Sequence, residues 1–166
     1  LPVRALTGML TDKEVAWDQE SQTVYIGQRP DAGVKSVPID ELKAYDTYNN
    51  SGVVYTGKDA QFTVLGDTYF PFNRIELVHW GQQTYKLDSN YDSIHGKFII
   101  PYDNVGSKAV SALRFYSEKT LIKEYYAQAG DSAIDVDINL QGCNSLKIVG
   151  IGDTLAFYDV TLTTAK

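Results

Sequence analysis

At 166 residues and a formal net charge of −6, the chain is long enough to bury a core without disulfides. It is too acidic to coat a nucleic acid or an anionic membrane, since either needs clustered cations. Hydrophobic residues at 43% and charged residues at 22% exclude wholesale disorder, and no apolar run approaches the roughly 18 residues of a membrane-spanning helix.

At about 150 residues per domain, the length fits one domain plus a fragment, or two small domains. Leu1–Leu10 has neither the cationic start nor the apolar stretch of a signal peptide; a processed chain would have lost one. The single cysteine, Cys143, excludes an intrachain disulfide. It also excludes a zinc site built on four cysteines, or on two cysteines and two histidines. Tyrosine is abundant, at 12 residues. That suits strands, and it suits surfaces that bind polar, flat-faced ligands through a ring and its hydroxyl.

Val3, Leu6, Met9 and Leu10 fall at helical spacing, so Pro2–Leu10 reads as a short helix with proline near its start. Val15-Ala16-Trp17 and Thr23–Gly27 read as two strands around a polar turn, with Trp17 as their core. A helix and a hairpin in so few residues cannot close a core alone. Residues 31–38 are linker-like, with Gly33 and Pro38 among polar residues, and Ile39–Ala44 reads as one helical turn capped by Asp40.

Beyond Tyr45 the pattern becomes short strands between turn residues. The runs are Gln61–Leu65, Arg74–Trp80, Thr84–Leu87, Lys97–Ile100, Ala109–Tyr116, Thr120–Tyr126, Ala133–Leu140, Ser145–Val149 and Leu155–Leu162. Turn signals every 8–12 residues mark an all-β sandwich or barrel of about nine to eleven strands. Alternating polar positions favour antiparallel sheets with one wet face.

Two resemblances follow from these residues. Pro2-Val3-Arg4-Ala5-Leu6, Val15-Ala16-Trp17-Asp18 and Gln22–Ile26 are similar to the second half of the copper amine oxidase N-terminal-like domain, a small module of bacterial surface proteins. The name implies no copper site, and residues 1–30 hold no copper ligands. The family's opening hairpin is missing, which marks residues 1–30 as a partial copy. Tyr85–Gly96, Ala112–Ile122 and Ile134–Ile148, in that order, resemble the strand blocks of the novel putative carbohydrate-binding module, NPCBM. Ser89 and Ser117 stand where that family usually has Gly or Asp in its turns, and Ala156–Asp159 replaces its usual late tryptophan motif. This second resemblance spans roughly Ile39–Thr163.

The NPCBM resemblance implies a jelly-roll, galactose-binding-like β-sandwich over residues 39–166, following a short α/β fragment. Such modules are usually appended to secreted glycosidases or surface proteins. The implied partners are a carbohydrate or cell-wall glycan and neighbouring domains of a larger modular protein. The implied location is outside the cell or on its surface, and the low cysteine content is in keeping with a Gram-positive bacterium. The implied function is glycan binding without catalysis. No cofactor is expected, although related sandwiches often carry a structural calcium ion.

A sugar site needs an aromatic platform for C–H faces and polar groups for hydroxyls, carried on loops at strand ends. Trp80, in the His79-Trp80-Gly81 turn, comes first. Tyr69 and Phe70, after Gly66-Asp67, come next, then Tyr102 with Asp103 and Asn104. The polar partners expected are Asp67, Asn73, Arg74 and His79. Each aromatic has a competing role as a cap on the sandwich core. Asp135 and Asp137, with Asp131 nearby, read as a solvated strand face against a calcium-ligand alternative; no EF-hand loop is present. Cys143 has no base nearby in sequence, which favours a small packing residue over a nucleophile.

Enzyme signatures are missing: there is no nucleophile elbow, phosphate-binding loop, dinucleotide fingerprint or His-Glu-x-x-His. A structural or protein-interaction module of a bacterial surface protein remains the alternative reading, because fold does not fix ligand. A hydrolase would require two carboxylates converging in a cleft.

Overall fold

The computed structural model describes residues 15–18, 23–26, 34–47, 52–101 and 106–165. The chain divides into two compact units, with residues 35–165 forming the larger. In the smaller unit, β1 (Val15–Asp18) and β2 (Thr23–Ile26) pair antiparallel, Val15 opposite Ile26, as the two short apolar runs predict. The helix expected over Pro2–Leu10 and the side chain of Trp17 lie outside the described residues.

The larger unit is an antiparallel sandwich of two sheets. One has six strands: β3 (Ser36–Pro38), β4 (Gly52–Thr56), β7 (Asn73–Leu77), β9 (Tyr91–Ile99), β12 (Ile134–Asn139) and β14 (Leu155–Thr164). Their order is β12-β9-β14-β7-β4, with β3 also on β14. The other sheet has four strands: β8 (Gln82–Lys86), β10 (Ser111–Ser117), β11 (Thr120–Ala127) and β13 (Ser145–Ile151), in the order β11-β10-β13-β8. A hairpin of β5 (Phe62–Val64) and β6 (Asp67–Tyr69) is separate from both. No helix among the described residues is long and apolar enough to cross a membrane.

Strand alternation builds the core. Leu113 and Phe115 of β10, Leu146 and Ile148 of β13, and Tyr85 of β8 are fully buried. They meet Phe98, Ile75 and Phe157 of the six-stranded sheet in one cluster, and Phe115 lies edge-on to Phe157 with ring centroids 5.5 Å apart. Two glycines allow close contacts, Gly96 between neighbouring strands β9 and β14 and Gly150 between the two sheets. A Cβ on Gly96 would stand 2.6 Å from Phe157 Cε2, and one on Gly150 the same distance from Leu77 Cβ.

β14 changes neighbour half-way along one edge. Leu155–Tyr158 pairs with β7 and Thr161–Thr163 with β3, while β9 runs along the other edge. Between the halves Asp159 takes φ +51° and the ladder shifts register, the geometry of a bulge. Asn73, at the start of β7, is fully buried here. Its side chain bonds the Val160 N–H and carbonyl, and its amide also donates to Asp40 Oδ1. Asp40 was expected to cap a helical turn. The turn is a short 3-10 segment, Ile39–Glu41, whose cap position is Pro38, without a capping side chain; Asp40 lies inside it and accepts from Asn73 instead.

The β5–β6 hairpin builds a second small cluster around Phe62, Val64, Ile99, Ala156 and Tyr158. Tyr69 stacks on Phe62 at 5.0 Å and 7° and lies edge-on to Tyr158. Four strands exceed the sequence expectation: β3, inside the segment read as linker, β4, β6, and the first half of β9. Tyr91–Gly96 carries too many small and polar residues for periodicity alone to mark it a strand, although the NPCBM resemblance places a strand pair there.

Candidate functional site

On the outer face of the four-stranded sheet the alternation that buries Leu113 and Phe115 turns Arg114 and Tyr116 outward. On β13 it turns out Lys147, Val149 and Ile151, and on β8 Gln82. These six side chains and Trp80 line a groove of about 290 Å³, near the lower end of the range for small-molecule sites. In the sheet register Arg114 faces Val149 and Tyr116 faces Lys147. The groove is therefore floored by cross-strand pairs.

Trp80 stands at one side of this groove. It is 62% exposed and takes φ +64°, after His79 at φ +39°. Two consecutive bulky residues in the left-handed region are strained. The turn is tied down by the Gly150 N–H, which donates to the Gly81 carbonyl at 2.9 Å. The turn thus holds the indole out in solvent.

The polar groups are held in place. Arg114 Nε donates to Glu124 Oε2 at 3.0 Å, and its pKa is raised further by a hydrogen bond to Tyr126 and by Glu124. Lys147 Nζ lies 4.7 Å over the Tyr116 ring, a cation–π contact. Gln82 Nε2 donates to Asp46 Oδ2. Tyr45 pairs its backbone with Thr84 of β8 and reaches Ser145 of β13 through its hydroxyl at 2.9 Å. The same face thus carries exposed Tyr45 and Tyr126 beside the groove. Rings and fixed polar groups together can stack on a flat ligand and bond its hydroxyls.

The residues expected from sequence divide among separate places. Trp80 lines the groove; His79 precedes it, exposed, and is not among the lining residues. Asp67, Tyr69 and Arg74 belong to the opposite side of the sandwich, around the β5–β6 hairpin. Arg74 is 8% exposed. It pairs with Glu76 at 3.0 Å, bonds the Asp59 carbonyl, and lies over the rings of Tyr55 and Phe62. Tyr69 is packed, while Phe70 is 73% exposed. Asn73 has its amide engaged inside the β14 bulge. Tyr102 lies outside the described residues.

Asp135 and Asp137 are exposed and face β9, where they meet Lys97 at 3.6 Å and His95 at 3.2 Å. No cluster of three or more ligating side chains occurs among the described residues. Cys143 is buried and its thiol donates to the Ser145 carbonyl. Burial pushes its pKa up, away from a thiolate nucleophile.

Neither a protein-family model nor a curated protein sequence matches the chain. Solved structures do. A CBM51 carbohydrate-binding module of a GH95 protein from Clostridium perfringens, in complex with methyl-galactose, matches with TM-score 0.63 at 18% identity, over 78% of this chain and all of that one. The CBM51-2 and INT domains of ZmpB from the same organism match with TM-score 0.67 at 12% identity, over 92% of this chain and 36% of that one. Tandem CBM51 modules of a family 98 glycoside hydrolase from Streptococcus pneumoniae match with TM-score 0.63 at 10% identity, over 86% of this chain and 53% of that one. The fold is that of the CBM51 modules. It is the galactose-binding-like jelly-roll sandwich that the NPCBM resemblance implies.

Arg114, Tyr116, Lys147 and Gln82 lie within strands and not in the turns where sequence places binding aromatics. The signal was present in the alternation: Ala112-Leu113-Arg114-Phe115-Tyr116 puts every second residue on the wet face.

Proposed function

We propose that this chain is a non-catalytic carbohydrate-binding module that stacks a sugar ring on Trp80 and holds it in the groove over β8, β13 and β10. The observation that carries the reading is the exposed indole, fixed at a strained turn beside fixed polar side chains. The CBM51 fold supports it. So do the ligands of two solved relatives, methyl-galactose and GlcNAc.

The finer assignments belong to the same proposal. Residues 39–166, with β3 (Ser36–Pro38) added to their sheet, form an NPCBM-like module, the rest of 31–38 a connection, and residues 1–30 a partial copper amine oxidase N-terminal-like fragment. The whole serves an exported or surface-attached protein of a Gram-positive bacterium, beside other domains. A glycan array spanning plant, cell-wall and host glycans tests the reading. Binding to at least one class, weakened by Trp80→Ala, is expected; silence across the array contradicts it.

Exposed Leu65, Phe70 and Phe72, on and after the β5–β6 hairpin, favour a second role as a docking surface for a neighbouring domain. Binding of an adjacent domain that Phe70→Ser abolishes is the outcome this role requires.

A further inference from the structure

We infer that the saccharide this groove takes is acidic, carrying a carboxylate or a sulfate. The inference rests on the saccharide-binding reading of the groove. The charged side chains lining the groove are both cations, Arg114 and Lys147, and no carboxylate lines it. The two nearby acids are already engaged. Glu124 accepts from Arg114 Nε, and Asp46 accepts from Gln82. Lys147 has no carboxylate within ion-pair distance among the described residues, and its ammonium rests on the Tyr116 ring, which does not neutralise it.

This cationic strip lies on a chain of net charge −6. Arg114 is partnered by Glu124 through Nε, so the uncompensated charge is that of Lys147, diagonal to Arg114 on the neighbouring strand; it creates a local potential opposite to that of the molecule. A neutral sugar gains most from carboxylates and amides that accept its hydroxyl protons. Beside the Gln82 amide oxygen, an acceptor, and the Tyr116 hydroxyl, which donates or accepts, this groove offers two charged donors, the Arg114 guanidinium and the Lys147 ammonium. Donors of this kind match an anionic substituent, and guanidinium does so with directional bonds. Trp80 supplies the apolar platform for the ring that bears it.

The full chain is tested on an array that pairs neutral oligosaccharides with their uronate-, sialate- and sulfate-bearing counterparts. The tightest matched pair is then measured by calorimetry at low and high salt. An acidic member binding at least tenfold tighter than its neutral counterpart is expected, with the preference shrinking as salt is raised. Lys147→Gln and Arg114→Gln should each reduce that preference several-fold. The uronate, sialate and sulfate arms tell carboxylate from sulfate. Equal or tighter binding of neutral glycans overturns the acidic assignment and leaves the carbohydrate-binding reading intact. So does a preference that survives both substitutions. Binding to neither set overturns both readings.

Discussion

The side chain of Asn73 makes a closed pair of hydrogen bonds with the backbone of Val160: Nδ2 donates to the carbonyl at 3.0 Å and Oδ1 accepts from the N–H at 2.7 Å. The pair acts as a stand-in for a missing strand residue. It satisfies both backbone groups of β14 where the strand changes partner from β7 to β3, and Asp40 completes it by accepting the second amide proton.

Asn73→Ala leaves these buried groups unpaired, and each orphaned group costs about 1–3 kcal/mol. A loss of roughly 3 kcal/mol is expected, read as a lower urea midpoint at unchanged slope. Because Asn73 lies in the bulge and not in the groove, glycan affinity measured on the remaining folded fraction should not change.

Gly96→Ala is expected to destabilise the sandwich by about 1–3 kcal/mol. The new methyl would meet Phe157 at 2.6 Å and the Tyr158 carbonyl oxygen at 3.1 Å, so the β9–β14 ladder has to move. Thermal unfolding of the variant beside the parent chain checks it.

Trp80→Ala should separate binding from folding. The indole is exposed and packs little, so stability should change by less than about 0.5 kcal/mol. Loss of the ring should cost about 2 kcal/mol of binding, roughly 30-fold in affinity. Calorimetry against whichever glycan the array identifies, together with urea unfolding, gives both numbers.

Alkaline pH should weaken the fold. Burial first, then repulsion from Tyr69, Asp159 and Asp135, pushes the Tyr158 hydroxyl up to about 12 from an ordinary 10. Burial raises Tyr85 further still. The folded state keeps these protons while the unfolded chain begins to release them near pH 10. The contribution is therefore complete below pH 10 and is lost as pH climbs through 12. Urea midpoints at pH 8 and pH 11 should differ, and Tyr158→Phe should reduce the difference.

The sandwich was legible from alternation because Ile134, Val136 and Ile138 against Asp135, Asp137 and Asn139 can satisfy only a half-buried strand. β4 and the start of β9 were not legible. The start of β9 is small or polar, while β4 carries the strand formers Val53, Val54 and Tyr55 but no buried–exposed alternation, and neighbouring strands decide their pairing. Trp80 was legible as a turn aromatic. The rest of its site was not, since Arg114, Tyr116 and Lys147 become a group only when β10 and β13 pair. Asp67, Arg74 and Trp80 are close in sequence, but Trp80 sits on the opposite side of the sandwich from the other two. Chain proximity along an antiparallel fold says little about which face a residue reaches.

The most direct test of a groove on the four-stranded sheet is an NMR titration of the isotope-labelled full chain with the bound glycan. The account predicts shifts at the Trp80 indole and at the amides of Gln82, Arg114, Tyr116, Lys147 and Val149, with the β5–β6 hairpin unmoved. Shifts centred instead on Tyr69 and Phe70, with the Trp80 indole unchanged, would contradict it.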